Sequence, residues 1–421
     1  MCEVETDRSN AELQFDNMIS IGNSSMYSVI AFITLIVAFA NVKGLNLQTK
    51  LVNVVFRHGD RTPDNNGYEL YPNDPYLNDD FYPFGLGELT NNGKMREYQL
   101  GQFLRKQYDK FLGKVYIPDV LEAHSTDYRR TKASLQLVLA GLYPPALIQR
   151  WNAILKWQPI PTEYIPRLYD NVLLSDECPR YLNEYNQVLE LPEVKEELAA
   201  FDDMNAKLTE LTGKNISTPL DMYYLYHTFV AESFMNLDLP DWAYSLFPYG
   251  RLYNGTIFAY KVANYNKLQK RIYGGAVLRK IIDSMKAHVN GTLKAGKKLI
   301  LYSGHETNIA SLLNTLEVYR PHVPEYSSAV IIELLYEGDK YYVKVLYYAG
   351  IPSQAKEIKL PDCEVLCPLE KFLQLTADVI PTDEDMICDK TKTESYADQK
   401  PNQNMNRNLY NVINNYITDG V

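Results

Sequence analysis

Two short motifs in this 421-residue chain carry residue types that suit the binding and processing of an anion. RHGDR at residues 57–61 and GHE at residues 304–306 each follow a short apolar run that is typical of a buried parallel strand. Arg57 and Arg61 flank His58, and their forked N–H groups suit phosphate oxygens. Because the carboxyl ends of parallel strands meet at one edge of a sheet, the pattern predicts a phosphate site that both motifs build.

The same residues disfavour two other kinds of site. A zinc site needs several His, Cys or carboxylate ligands, whereas the arginines on both sides of His58 would repel a divalent cation. A nucleophilic cysteine is not indicated, because the four cysteines of the later chain look like a disulfide framework. We therefore expect neither a metal nor another cofactor.

The elements that position the two motifs can be predicted from the spacing of apolar residues. Strands are predicted at residues 51–56, 115–123, 298–303, 328–335 and 341–348, and helices at residues 90–110, 126–142 and 307–316. Residues 160–275 have a helical pattern without a clear strand. β/α units at both ends of the chain with a helical insertion between them predict an α/β fold.

Composition and charge limit the classes of partner. Hydrophobic residues make up 46% of the chain, which is typical of a globular protein with one large domain or two smaller ones. The 42 Lys and Arg against 52 Asp and Glu give a formal net charge of −10. Nucleic acids and anionic membrane surfaces call for a basic excess, so we expect neither as a partner.

Residues 1–40 are predicted to be a leader for the secretory pathway. Residues 18–42 hold no charged side chain, and residues 29–40 form an apolar core that suits a signal peptide better than a spanning helix. Cleavage after Ala40 would remove Cys2 and leave an even number of cysteines. The alternative is an uncleaved signal-anchor, which would attach the protein to a membrane.

Three N-x-Ser/Thr sequons downstream of the leader, at Asn215, Asn254 and Asn290, are candidate glycosylation sites. Together with the leader they favour a luminal or extracellular protein, either secreted or delivered to the lysosomal lumen. No second apolar run that would suit a C-terminal membrane anchor follows the leader in the sequence.

The two motifs and the segments between them resemble one protein family. RHGDRTP at residues 57–63 is similar to the signature of the histidine acid phosphatases, and SGHETN at residues 303–308 resembles their second motif. Blocks between the motifs are also similar, at residues 85–93, 125–131 and 239–243. The resemblance covers residues 48 to 390 and is strongest to the prostatic, lysosomal and insect venom branch of the family.

The resemblance implies a metal-independent hydrolase of phosphate monoesters that forms a phosphohistidine intermediate. His58 would be the nucleophile, and Glu306 would donate a proton to the leaving alcohol. Arg57, Arg61 and His305 would hold the phosphate oxygens. The expected partners are small phosphomonoesters, with phosphoproteins as further substrates and a second copy of the chain in a homodimer.

The resemblance also implies a phosphoglycerate-mutase-like, three-layer α/β domain with an inserted α-helical cap. On this basis the chain divides into a leader, a catalytic domain in two parts, a helical cap and a disordered tail, at residues 1–40, 41–160 with 276–390, 161–275 and 391–421. Two pairs of cysteines match disulfides of the family, Cys178 with Cys388 and Cys363 with Cys367. A third pair is replaced by Ala231 and Ala329.

Two positions depart from the family pattern. The resemblance sets His124 at the position of a phosphate-binding arginine and Glu306 at that of an aspartate. A protonated His124 would still donate to phosphate at low pH, and Glu306 keeps a carboxyl that reaches one methylene further. Two alternatives therefore stay open beside an active acid phosphatase: a weakened or inactive phosphate-binding homologue, and a narrower phytase or phosphotyrosine phosphatase.

Overall fold

The structure is a computed structural model and describes three stretches of the chain, residues 47–64, 67–352 and 354–390. The leader predicted at residues 1–40 and the tail predicted at residues 391–421 lie outside them. The chain divides into two compact units, residues 1–48 and residues 49–421, and the candidate site belongs to the second. None of the described helices combines the length and apolarity that crossing a membrane would require.

Within the described residues, eight strands form one sheet. In chain order they are β1 (Gln48–Arg57), β2 (Leu121–Ser125), β3 (Glu163–Tyr164), β4 (Leu299–Gly304), β5 (Ala329–Glu337), β6 (Lys340–Tyr348), β7 (Lys356–Ile358) and β8 (Cys367–Pro368). The order across the sheet is β3-β2-β4-β1-β5-β6-β7, and β8 pairs with β6. Strand β4 is parallel to both β1 and β2, whereas β5 and β6 form an antiparallel hairpin. The paired strands predicted from the sequence are therefore present.

Strand β1 brings the two sequence motifs together. Its last seven residues are buried, as expected for a strand covered on both faces. In the parallel register Phe56 lies beside Ser303 and Arg57 beside Gly304, and the His58 amide donates to the Gly304 carbonyl at 3.0 Å. Both motifs thus end at the same edge of the sheet.

Helices cover both faces of the sheet and extend over its edge. In chain order they are α1 (Asn91–Gln107), α2 (Asp109–Leu112), α3 (Arg129–Leu142), α4 (Pro179–Leu189), α5 (Pro192–Ala199), α6 (Asp202–Thr212), α7 (Pro219–Phe234), α8 (Arg251–Ala263), α9 (Lys267–Ile272), α10 (Gly274–Val289), α11 (Glu306–Thr315) and α12 (Leu369–Thr376). Side chains of α1 and α3 share one core with Val52 and Val54 of β1. Side chains of α10, α11 and α12 share another core with Leu51 and Val55. Successive residues of β1 therefore serve opposite cores, which gives three layers.

Helices α4 to α9 pack around a third core, which we call the helical layer. Tyr71 and Tyr326 also belong to this core, although they lie outside the cap predicted at residues 161–275. The helical layer is therefore anchored by segments from both sides of the predicted insertion. The predicted boundaries of a separate cap remain a prediction.

Some predicted boundaries differ from the structure. The strand predicted at residues 115–123 is a 3₁₀ turn, Pro118–Val120, followed by β2. Proline lacks the N–H that a strand ladder needs, so the strand begins after it. Strand β3 lies in a stretch that was predicted to be helical, and it consists of only two residues.

The segment that carries His58 packs very closely against the start of α1. Thr90 caps this helix, since its side chain accepts a hydrogen bond from the Gly93 amide at 3.1 Å. A Cβ atom on Gly59 would lie 2.4 Å from the Gly93 carbonyl oxygen, so only glycine fits beside His58. The close contact fixes the backbone that holds the histidine.

Both predicted disulfides are present. Cys178 is bonded to Cys388 across 210 residues of sequence, and Cys363 is bonded to Cys367. The longer link ties the segment before α4 to the last described residues.

Candidate active site

A cavity of about 220 Å³ lies between the ends of β1 and β4 and the helical layer. His58, Arg61, His305 and Glu306 line it, so four of the predicted site residues meet there. Arg57 lies behind them, fully buried and in contact with Glu306.

His58 is positioned as a neutral imidazole. Its Nδ1 atom lies 2.8 Å from the carbonyl oxygen of Gly59. A carbonyl only accepts, so Nδ1 carries the proton and Nε2 keeps its lone pair. Burial lowers the pKa of the His58 imidazole well below its ordinary value, and the nearby Arg130 and Arg57 guanidinium groups lower it further. Nε2 is therefore available as a nucleophile even at acid pH.

Arg57 is held by three groups of different kinds. Its Nη1 atom donates to the Pro324 carbonyl at 2.6 Å, and its guanidinium lies 4.0 Å from the centre of the Tyr326 ring. Its Nε atom is 3.4 Å from a carboxylate oxygen of Glu306. The remaining nitrogen, Nη2, is buried and has no hydrogen-bond partner among the described residues.

Arg61 is oriented by Glu69, a residue that the sequence did not indicate. Nη1 and Nη2 of Arg61 donate to the two carboxylate oxygens of Glu69 at 2.7 and 2.5 Å. The Asp64 amide also donates to Glu69, at 2.8 Å. This forked pair fixes the guanidinium plane and leaves Nε buried without a hydrogen-bond partner in the described part of the chain.

Arg130 is the main site residue that sequence reasoning missed. It is the second residue of α3, lines the cavity, and forms an ion pair with Asp64 at 2.9 Å. Its guanidinium lies 4.6 Å from the centre of the Tyr128 ring, and its Nε atom is buried without a partner within the described residues. An arginine in the first turn of a helix that follows a parallel strand was the available signal, because that is where anions bind.

His124, which was predicted to contact phosphate, is not among the residues that line the cavity. Its ring stacks on Tyr302 at 5.6 Å, lies near Glu122 and Glu163, and is not part of the cavity wall. Side chains alternate along a strand, and the residues on either side of His124 in β2 point the other way, into buried surroundings. His124 therefore shares the outer face of β2 with Glu122.

His305 stands directly before α11 and faces His58. The two rings are 5.5 Å apart, and His305 Nε2 lies 3.0 Å from the Thr126 hydroxyl. The backbone amide of His305 donates to the Asn308 side chain at 2.8 Å, which fixes the turn into the helix. Burial and then the Arg130 charge lower the pKa of His305 to about 3. This imidazole is therefore neutral in the free protein.

Glu306 is a buried carboxylate beside the nucleophile. Burial alone would raise its pKa, but the charges of Arg57 and His227 and a hydrogen bond from Tyr223 together hold it below the ordinary value. Tyr223 belongs to α7, so the helical layer contributes directly to the state of this group. Glu306 is ionised in the free protein.

Taken together, these groups form an anion site around a nucleophile. Arg57, Arg61 and Arg130 each carry a buried N–H group without a hydrogen-bond partner in the described residues, and all three lie close enough for their charges to lower the pKa of His58. Buried donors are almost always paired in native proteins, so three unpaired guanidinium N–H groups indicate a place for an anion. A tetrahedral oxyanion such as phosphate suits three forked donors.

Comparison with known proteins agrees with this geometry. Residues 48–348 match the family model described as histidine phosphatase superfamily (branch 2). The chain is 52% identical over 370 residues to venom acid phosphatase Acph-1 of Apis mellifera, over 88% of this chain and 94% of that protein. It is 34% identical over 348 residues to the lysosomal acid phosphatase of Homo sapiens, over 80% of each.

The crystal structure of Klebsiella sp. ASR1 phytase superposes with a TM-score of 0.59 at 15% identity, over 81% of this chain and 99% of that one. At that identity the likeness concerns the fold alone. The α/β fold and the family predicted from the two motifs are confirmed by these matches. The chain belongs to branch 2 of the histidine phosphatase superfamily.

Proposed function

We propose that the protein is an acid phosphatase that hydrolyses phosphate monoesters through a phosphohistidine on His58. The observation that carries the proposal is the set of three buried, unpaired guanidinium N–H groups around a neutral imidazole. The venom and lysosomal acid phosphatases to which the chain is similar support the same activity. Catalysis of phosphoryl transfer depends mostly on positioning and charge stabilisation, which this arrangement supplies.

In the first step, Nε2 of His58 attacks phosphorus while the bond from phosphorus to the ester oxygen breaks. A P–N bond forms, and the carboxyl of Glu306 gives its proton to the departing alkoxide. Arg57, Arg61 and Arg130 hold the three other phosphate oxygens, where negative charge is spread in the transition state.

In the second step, a water molecule attacks phosphorus from the side that the alcohol has left. The ionised Glu306 accepts a proton from that water, the P–N bond breaks, and its electron pair returns to Nε2 of His58. Inorganic phosphate leaves, and His58 and Glu306 regain their starting protonation states. The split into two displacements avoids a single direct attack by water on the ester.

The state of Glu306 predicts an acid optimum. Above about pH 6 the free ester is a dianion, and free Glu306 is ionised because its pKa is lowered. The reaction needs one proton in the complex of protein and ester, so that Glu306 can give it to the leaving group. The dianionic ester and the ionised Glu306 together do not carry that proton. We therefore expect kcat/KM for phenyl phosphate to be level between pH 4 and about 6 and to fall about tenfold per pH unit above that.

Replacement of Glu306 tests both the acid role and the activity. Glu306→Gln should lower turnover of phenyl phosphate by about 10²-fold or more, because phenoxide leaves poorly without a proton. p-Nitrophenyl phosphate should be affected less than about tenfold, since its leaving group is a weaker base. Equal losses on the two esters would contradict the acid role, and no turnover of either ester by the unmodified protein would overturn the proposed function.

We propose that Arg130 supplies the phosphate donor that His124 was predicted to provide. The position of Arg130 in the cavity wall, together with Arg61, supports this role. The glutamate at position 306 keeps ion-pair contact with Arg57, so the longer side chain still reaches the site.

We also propose that the protein is a glycoprotein of the secretory pathway. Two disulfides favour an oxidising compartment, and Asn215, Asn254 and Asn290 are all exposed. Treatment of the protein from an insect-cell medium with an N-glycosidase should lower its mass by up to three glycans. An unchanged mass, or recovery of the protein only from the cytosol, would contradict this localisation.

A homodimer is supported by a group of exposed apolar side chains close to the edge strand β3. Leu147, Ile148, Trp151 and Ile154 precede that strand, and Tyr164 belongs to it; all are more than half exposed. Apolar groups clustered in this way often mark an interface. Light scattering at micromolar concentration decides the matter, since a monomer mass would refute the dimer.

A further inference from the structure

Beyond the phosphate donors, the cavity is lined by tyrosines of the helical layer. Six tyrosines contribute to this wall: Tyr181, Tyr185, Tyr223, Tyr224, Tyr260 and Tyr273. The rings of Tyr181 and Tyr273 meet edge to face at 5.4 Å, as do those of Tyr223 and Tyr260 at 5.9 Å. Tyrosine rings attract ammonium groups through their negative faces. Such a wall suits a leaving group that has an apolar surface and carries a positive charge.

Five carboxyl groups line the same cavity, and four of them are matched by a cation. Asp64 pairs with Arg130, Glu69 with Arg61, Glu177 with Arg167, and Glu306 with Arg57. Asp176 forms no ion pair with any residue that the structure describes, and its Oδ1 atom is buried without a hydrogen-bond partner there. One buried carboxyl oxygen of the wall is thus left to face a positive charge or a hydrogen-bond donor from outside the chain.

The balance of charge in the cavity favours substrates with a single phosphate. Five carboxyl groups face only three arginines among the lining residues, Arg61, Arg130 and Arg167. Of these arginines, Arg167 is already engaged by Glu177 through Nε and Nη2. A second phosphate on the substrate would meet carboxylates instead of free donors, whereas a positive charge would be attracted.

We propose that the cavity prefers phosphate esters of amino alcohols, with the phosphate on the arginines and the ammonium group between Asp176 and the tyrosine rings. This inference rests on the proposed phosphatase function and names its substrate class. The ammonium group neutralises the unpaired carboxyl, and the tyrosines of α4 and α7 surround its methyl or methylene groups.

The preference should depend on pH in a defined direction. Burial and then the neighbouring Glu177 raise the pKa of Asp176 to about 7, against the opposing effects of Lys390 and Tyr273. Tyr181 is the other titratable group that faces it. Asp176 is therefore mostly neutral at pH 5 and ionised at pH 8. The advantage of a cationic leaving group is expected to grow between these two values.

The experiment compares two esters that differ in one atom. Phosphocholine carries a quaternary nitrogen where 3,3-dimethylbutyl phosphate carries a carbon, so the shape is the same and only the charge differs. The ratio of their kcat/KM values cancels the pH dependence that they share. For the unmodified protein we expect the ratio to reach about tenfold in favour of phosphocholine at pH 8, and to fall to about twofold at pH 5, where the tyrosine rings still attract the cation but Asp176 is neutral.

Variants assign the effect to the carboxyl group. Asp176→Asn should hold the ratio at its pH 5 value at every pH, because only the tyrosine rings then attract the cation. Asp203→Asn, which removes the same charge from an exposed carboxyl that pairs with Arg251 and does not line the cavity, should leave the ratio unchanged. If Asp176→Asn keeps the preference, the assignment to Asp176 is overturned.

The outcomes also separate this inference from the proposed function. If the unmodified protein hydrolyses both esters equally at pH 8, the phosphatase function stands and the substrate class is wrong. If it hydrolyses neither ester, the phosphatase function itself fails. The comparison of esters needs no variant, so a variant that does not fold leaves the test intact.

Discussion

Replacing His58 with asparagine is expected to reduce phosphate ester hydrolysis by about 10⁴-fold or more, because the imidazole that attacks phosphorus is removed. The asparagine amide keeps an N–H donor near the Gly59 carbonyl that His58 Nδ1 contacts at 2.8 Å. It lacks the basic nitrogen that His58 directs toward the three arginines. The loss should therefore be chemical, with the fold preserved.

The covalent intermediate gives a second readout for this variant. A P–N bond is hydrolysed in acid and survives in base, so the reaction of a ³²P-labelled ester should be stopped in alkaline denaturant. Label should remain on the unmodified protein and be absent from His58→Asn. His124→Asn is the matched control, since His124 lies outside the cavity, and it should retain both turnover and label. Label on the His58 variant would refute the nucleophile assignment.

Replacing Arg130 with alanine is expected to lower kcat/KM by about 10²- to 10³-fold, the effect of removing one transition-state donor from a buried site. Arg130 also neutralises Asp64 at 2.9 Å, so the alanine variant leaves a buried carboxylate facing the phosphate. Arg130→Lys keeps that charge and loses the forked geometry, so its activity should fall between the two. Inhibition by inorganic phosphate should weaken in the same order.

The comparison with His124 makes this prediction specific. His124→Arg should leave kcat/KM within about twofold of the unmodified protein, since the side chain lies between Glu122 and Glu163 on the outer face of β2. Thermal unfolding of each variant shows whether the fold is retained. A gain of tenfold or more in His124→Arg, combined with full activity of Arg130→Ala, would show that the phosphate donor had been assigned to the wrong residue.

The pair of histidines could be predicted because each one follows a local signal. His58 and His305 come directly after apolar runs, and the parallel pairing of β1 with β4 then brings their backbones into register. This prediction needed only the lengths of the two apolar runs and the rule that the carboxyl ends of parallel strands meet at one edge of a sheet. The disulfides between cysteines of the later chain were likewise predicted, from the resemblance of their positions.

The carboxylates that orient the arginines could not be predicted in this way. Glu69 and Asp64 lie in a loop with no periodic pattern, and only the folded chain shows that they contact Arg61 and Arg130. Asp176 belongs to a short 3₁₀ turn whose place against the cavity depends on the helical layer. Side chains from segments without regular periodicity carry no signal of their partners in the sequence.

The location of His124 could not be predicted from the sequence for a different reason. Family resemblance compares positions along the chain, whereas a strand sends alternate side chains to opposite faces. His124 is one position away from a buried residue on either side, and this single step places it outside the cavity. Arg130 lies in the first turn of α3, the helix that follows β2. Neighbouring residues in the first turn of a helix point in very different directions.

The central place of β1 in the sheet has a consequence for how the protein is made. β1 is among the earliest described segments of the chain, yet its two neighbours, β4 and β5, come from the last third. During synthesis the apolar strand β1 therefore stays unpaired until the ribosome has completed both β4 and β5. Sheets built from such distant segments fold slowly and expose their edges meanwhile. We therefore expect a chain that ends before β4 to have no phosphatase activity, since β1 then lacks a parallel partner.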